Sequence, residues 1–184
     1  MQITSLKGRL LVATSDMIDP NFFRTVVLLL EHGPQGSLGL VLNRPTAIGL
    51  REPLPRWSEF ASAPAEFFRG GPVDPSAVIG MARAEGLSEE RWSPLLEDVG
   101  VVDLRSDPAD AGAAIKGLRV FRGYSGWAAT QLEGELSAGG WLVTEPAPDD
   151  VFTKAPDALW HRAIRRRPRG PNWIAMHRRP PLPN

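Results

Sequence analysis

Two groups of residues in this 184-residue chain have types and spacings that could do chemistry. The first is the run Gly123-Tyr124-Ser125-Gly126-Trp127. A glycine two positions before a serine, between a strand and a helix, is half of a nucleophile elbow, in which the serine attacks an acyl carbon. The elbow closes on a second small residue two positions later, and here that residue is Trp127. A serine hydrolase also needs a histidine base held by an acid. His161 lies among arginines and His177 in a proline-rich tail, and no pattern aims either at Ser125. The competing role is a helix cap, with the hydroxyl accepting a bond from an orphan N–H of the helix expected over 125–139. That reading is adopted, and no catalytic residue is assigned.

The second group is dispersed. Asp19 and Arg24 flank a turn, Glu31 and His32 close one strand, Asn43 and Arg44 end its partner, and Gly70-Gly71 end the strand after them. If the sheet gathers these ends, a guanidinium, an imidazole, an amide and free backbone N–H groups would line one pocket for an anionic or polar ligand. Asp19, Arg24, His32, Asn43, Arg44, Gly70 and Gly71 are therefore the ligand-binding candidates. Each has a structural alternative: a turn bond for His32, a solvent-facing strand end for Arg44, a tight turn for the two glycines.

These residues need elements to position them. "GRLLVAT" (8–14) reads as a buried strand, and "TVVLLLEH" (25–32) as a strand covered on both faces. "GPQGS" turns the chain and "LGLVLNRP" (38–45) returns, predicting an antiparallel hairpin. Residues 46–64 are proline-rich, with room for a short helix around "RWSEFAS". "AEFFRGGPVDP" (65–75) is a strand ending in a glycine-proline turn. "SAVIGMARAEG" (76–86) is a strand whose alanines leave a helix open. After a polar excursion to about Asp98 come strand "VGVVDLR" and a helix over 107–117 with Asp107 as N-cap and Pro108 in its first turn. Strand "LRVFRGY", the helix over 125–139 and strand "WLVTEP" follow. Short helices are expected at "PDDVFT" and "PDALWHRAIRR", the latter with Leu159, Trp160, Ala163 and Ile164 on one face. Strands outnumber helices, so the expectation is one domain built on a mixed sheet.

Composition narrows the chemistry. There is no cysteine, which removes disulfides, thiol nucleophiles and cysteine-held metals. Three histidines without metal-ligand spacing leave no expected metal site and no expected cofactor. The longest apolar runs are far short of a signal peptide or a membrane span, so no membrane contact and a cytoplasmic location are expected. Net charge is zero but split. All 21 acidic residues precede His161 and seven arginines follow it, so the body carries −7 and residues 161–184 carry +7. The division expected is a domain over 1–165 and an arginine- and proline-rich tail over 166–184. Within the tail region Arg165, Arg166, Arg167 and Arg169 are nucleic-acid-binding candidates, unless the tail simply pairs with its own acidic body.

Three motifs occur in order: "DPNFFRTVVLLLEHGPQGSLGLVLNRP", "FFRGGPVDP" and "GYSGWAATQLEGELSAGGWL". Over roughly residues 8–165 the chain resembles the YqgE/AlgH family of bacterial proteins. The resemblance implies an α+β fold, a bifurcated mixed β-sheet with a small barrel-like portion, flanked by helices in a single domain. It implies no catalytic residues and a loose label of transcriptional regulator. Relatives often carry alanine at Ser125, and their Gly-Gln-Leu-Glu pattern stands here as Thr130-Gln131-Leu132-Glu133. Two functions are therefore expected. The first is a non-enzymatic regulator or adaptor that meets a protein partner or nucleic acid through the tail. The alternative is a small-molecule binder or enzyme using the strand-end pocket around His32, Arg44 and Gly70-Gly71.

Overall fold

The computed structural model describes residues 5–86, 92–110 and 114–166. Ten strands form one sheet: β1 Leu10–Ala13, β2 Val26–Gly33, β3 Gly36–Val41, β4 Pro45–Gly49, β5 Glu66–Arg69, β6 Val73–Ala84, β7 Trp92–Pro94, β8 Val99–Val102, β9 Ile115–Ala128 and β10 Trp141–Thr144. Two seven-residue helices accompany them, α1 Gln131–Ser137 and α2 Leu159–Arg165. The strand order is β10-β1-β2-β3-β9-β6-β8-β7, with β4 and β5 off this path. Pairing is antiparallel throughout except between β5 and β9. The result is a mostly antiparallel sheet curled into a half-barrel, α+β in class but with few helices.

Side-chain alternation explains why the central strands are apolar on both faces. Leu10 and Val12 of β1, with Val26, Leu28 and Leu30 of β2, join a cluster closed by Leu159, Trp160 and Ala163 of α2. The intervening Leu11, Ala13, Val27 and Leu29 face the other way, onto Leu132 of α1, Trp127 and Trp141. A third cluster, around Leu50, Trp57, Phe67, Leu118 and Val120, lies under the proline-rich 50–61 segment. There Trp57 donates its indole N–H to the Leu104 carbonyl at 2.9 Å.

The sheet forks on β9. One edge of this 14-residue strand receives β3 along Ser125–Ala128 and β5 along Val120–Arg122. At the fork the backbones touch: a Cβ on Gly70 would stand 2.3 Å from the Gly123 carbonyl oxygen, and one on Gly71 2.2 Å from the Tyr124 carbonyl carbon. Only glycine permits that approach, so the Gly70-Gly71 pair serves close packing rather than a tight turn.

Several local expectations are corrected. The helix expected over 125–139 begins only at Gln131, because Ser125–Ala128 are held in the ladder opposite Gly36–Gly39. Where a helix is expected over 107–117, a 3-10 turn stands at Pro108–Asp110, with the Asp107 carboxylate accepting the Ala109 N–H at 3.0 Å. Residues 111–113 lie outside the described residues, and β9 has begun by Ile115. "PDDVFT" forms turns that drop Val151 and Phe152 into the core. β4 and β7 lie in segments read as irregular. The strand reading of 76–86 holds, and the hairpin of β2 with β3 stands as expected. Around "RWSEFAS" one 3-10 turn, Ser58–Phe60, is present.

Candidate functional site

Two bulged strands frame a groove. β4 pairs with β5 only at Pro45–Phe68 and Gly49–Glu66, and Ala47 between them has φ 61°. β6 leaves β9 between Val73, opposite Tyr124, and Val78, opposite Arg122, and Asp74 in that bulge has φ 40°. Bulges of this kind break a ladder and re-aim side chains. Between them opens a groove of about 730 Å³ lined by Arg44, Arg69 and Arg122 together with Pro45, Ile48, Gly71, Pro72 and Pro75.

The three guanidiniums arrive for identifiable reasons. Arg69 and Arg122 are direct partners across the one parallel strand pair. On the same face, one step back, Phe67 and Val120 are buried in the cluster below, so the arginines stand where that face opens to solvent. The Arg122 guanidinium lies 5.9 Å from the Phe67 ring centroid. Arg44 enters from the corner between β3 and β4; its carbonyl accepts the Arg69 N–H at 2.8 Å and its guanidinium donates to the Phe23 carbonyl at 2.7 Å. No carboxylate of the described residues forms an ion pair with any of the three. Like charges facing each other on neighbouring strands repel, and the fold keeps them there with no paired carboxylate among the described residues. Nearby Asp74 is engaged elsewhere: the Ser76 hydroxyl donates to its carboxylate and holds it below the ordinary 3.8. The groove can therefore bind an oxyanion, and every ionisable group lining it is an arginine, which stays protonated and cannot act as a base.

Of the sequence candidates, Arg44 and Gly71 line this groove and Gly70 adjoins it, donating its N–H to the Arg122 carbonyl at 2.9 Å. Asp19 makes the turn beside it, its carboxylate accepting the Asn21 N–H at 2.8 Å. Arg24 lies over the Phe23 and Trp160 rings at 5.2 and 5.3 Å. Asn43 is buried and staples the open end of the hairpin, accepting from Val26 N–H at 3.0 Å and donating to the Arg24 carbonyl at 2.9 Å. His32 does not join them. It stands beside the hairpin turn, opposite Ser37, about 20 Å along β2 from the Asn43 staple at ~3.3 Å per residue. Its Nδ1 accepts the Leu6 N–H at 3.2 Å and its Nε2 faces the Glu133 carboxylate at 3.4 Å, tying α1 and the chain start to the hairpin.

Ser125 is neither nucleophile nor helix cap. It is fully buried inside β9 and donates its hydroxyl to the Gly70 carbonyl at 3.1 Å, across the fork. The N-cap position of α1 is held by Thr130, in a left-handed conformation and without a side-chain cap bond, and Gln131 accepts the Ala128 N–H at 3.0 Å. Arg166, a nucleic-acid candidate, pairs instead with buried Asp150 at 2.7 Å. Arg165 is exposed on the last turn of α2, and Arg167 and Arg169 lie outside the described residues.

Four residues that matter were missed. Arg69 and Arg122 had a visible signal, since Phe68-Arg69-Gly70 and Phe121-Arg122-Gly123 repeat one triplet. Glu135 accepts the indole N–H groups of Trp127 and Trp141 at 3.0 and 2.8 Å, and the Gln131 amide at 3.0 Å. Arg119, 1% exposed, donates to the carbonyls of Ser62, Ala63, Pro64, Val151 and Thr153 and lies 4.2 Å from the Phe68 ring centroid. Burial pushes its guanidinium down to about 10. Among the described residues no helix is long and apolar enough to cross a membrane.

The forked sheet and its motifs have counterparts in known proteins. The family profile described as DUF179, AlgH-like, matches residues 10–171. A UPF0301 protein of Streptomyces coelicolor is 45% identical over 170 residues, 90% of this chain and 88% of that protein. One from Mycobacterium tuberculosis is 37% identical, over 92% of this chain and 86% of its own length. A crystal structure from Corynebacterium diphtheriae aligns with a TM-score of 0.84 at 25% identity, over 97% of this chain and 94% of that one. The solution structure of AlgH from Pseudomonas aeruginosa aligns at 0.68 with 30% identity, over 100% and 98%. Motifs, fold and relatives agree, and the chain belongs to the AlgH-like family, UPF0301.

Proposed function

We propose that this protein is a non-enzymatic binder whose ligand is a small anion held in the Arg44–Arg69–Arg122 groove. The observation that carries the reading is three guanidiniums in one groove with no carboxylate of the described residues paired to them. The groove has the volume of a small-molecule site. Among the described residues its ionisable side chains are arginines, and its one hydroxyl, Thr46, is engaged in donating to the Phe67 carbonyl at 2.8 Å. It therefore offers no activated nucleophile or proton-transfer group, and its ligand is recognised rather than transformed. Such binding suits a cytoplasmic regulator or adaptor that reports a ligand to a partner. Direct nucleic-acid contact through the C-terminal arginines has less support, because Arg166 is already committed to Asp150.

The test is thermal unfolding of the full chain against a panel of acidic metabolites, at low and high ionic strength. A ligand at a hundred times its Kd adds about 2.7 kcal/mol, worth roughly 5–10 °C at this size. Stabilisation is expected at low salt, weakened at high salt, and lost in Arg44→Ala and Arg122→Ala. No stabilisation by any anion at low salt overturns the reading.

A further inference from the structure

Resting on that reading, we infer that the group bound between Arg69 and Arg122 is the dianionic phosphoryl group of a small phosphate monoester that carries no nucleobase. The argument is one of donor count. Arg69 and Arg122 stand side by side across the parallel strand pair, and neither guanidinium donates a hydrogen bond to any described residue. Each offers five N–H donors in a planar fork, so two forks line one groove side by side. A carboxylate carries one charge and is matched by a single fork. A phosphate monoester carries about −1.5 to −2 at neutral pH and three terminal oxygens, enough acceptors for two forks at once. Arg44 retains donors beyond its one bond to Phe23 and supplies the third positive charge.

The rest of the groove defines what the phosphate hangs from. Pro45, Pro72, Pro75 and Ile48 form rigid or apolar walls, Asn21 and Thr46 add polar groups, and no aromatic ring of the described residues lines it. Nucleobases are recognised largely by stacking on aromatic faces, so a groove without them fits a short aliphatic or polyol phosphate.

The experiment is isothermal titration of the full-length protein at low salt with glycerol phosphate, sulfate, succinate and adenosine monophosphate, at pH 5 and pH 7.5. Among the described residues the groove lining holds no carboxylate or histidine, and the neighbouring Asp74 carboxyl is held below the ordinary 3.8 by the Ser76 hydroxyl. A pH effect absent with sulfate, which stays dianionic at both pH values, therefore reports the ligand's own second proton, with pKa near ~6 for a phosphate monoester. Glycerol phosphate is expected to bind about tenfold more tightly at pH 7.5 than at pH 5, following the dianion fraction. Sulfate should bind without that change and succinate at least tenfold more weakly. Arg69→Ala and Arg122→Ala should each lower glycerol phosphate affinity by tenfold or more with unchanged folding by circular dichroism. Succinate binding as tightly as glycerol phosphate overturns the phosphoryl assignment while leaving an anion groove. A marked preference for adenosine monophosphate overturns the exclusion of nucleotides. No heat with any of the four overturns both readings. Undiminished phosphate binding by the Arg69→Ala, Arg122→Ala double variant overturns the placement.

Discussion

Arg119 and Arg122 are three residues apart on the same strand and point to opposite faces of the sheet, and their fates differ completely. Arg119 is sealed in the core without an ion pair among the described residues, yet five backbone carbonyls and the face of Phe68 surround it. Three of the carbonyls belong to consecutive residues, Ser62, Ala63 and Pro64. They lie in an irregular stretch whose carbonyls have no ladder partner. A buried cation needs acceptors, and buried irregular backbone needs donors; each need answers the other. Arg122 has company of its own charge and no acceptor from a described side chain. The lesson is that satisfaction, not residue type, separates a structural arginine from a binding one.

The contrast is sharpest in stability. Arg119→Leu removes donors from five carbonyls, two of them buried and three part-buried. A loss of about 3–5 kcal/mol is expected in denaturant unfolding, at about 1–3 kcal/mol for each buried acceptor left unmet. Arg119→Lys should recover little of it, since one ammonium cannot reach carbonyls on both sides. A change below 1 kcal/mol for Arg119→Leu would erase the distinction. Arg122→Leu, with no bond to lose and repulsion to relieve, should leave stability within about 0.5 kcal/mol or raise it. A large loss there would move Arg122 to the structural side.

The smallest effect sits on the groove's rim. The Asp74 carboxyl is held below 3.8 by the Ser76 hydroxyl. A lowered folded pKa gives stability that is fully present above the unfolded value and lost as pH falls through the folded one. Ser76→Ala should therefore leave unfolding at neutral pH nearly unchanged and slightly flatten the loss of stability below pH 3.8. An identical acid limb in both proteins would show that the contact is not formed in solution.

The central strands were legible because Leu10–Ala13 and Val26–Leu30 are apolar on both faces, a pattern that demands cover on both sides. Three motifs likewise pointed to the family and its forked sheet. Helical propensity misled at Ser125–Ala128 and after Asp107, where cross-strand hydrogen bonds outside any local window decide the conformation. The candidate site was half legible. Arg44 and Gly71 were named from strand ends, but His32 was grouped with them although an antiparallel hairpin sends its turn end and its open end in opposite directions. Arg69 and Arg122 were passed over because each sits singly after a phenylalanine. Only the parallel register of β5 on β9 makes them neighbours.

β9 pairs with β3, β5 and β6, and it is the ninth of ten strands to leave the ribosome. Until residue 128 has emerged, the β1–β2–β3 ribbon, the β4–β5 pair and the β6–β8–β7 ribbon are separate, each with an open edge. The outer edge of β1 stays open longer still, until β10 arrives. Before β9 the nascent chain thus presents three sticky fragments. A ribosome stalled before β9 would display an aggregation-prone intermediate, whereas one stalled beyond Thr144 would display a nearly finished sheet.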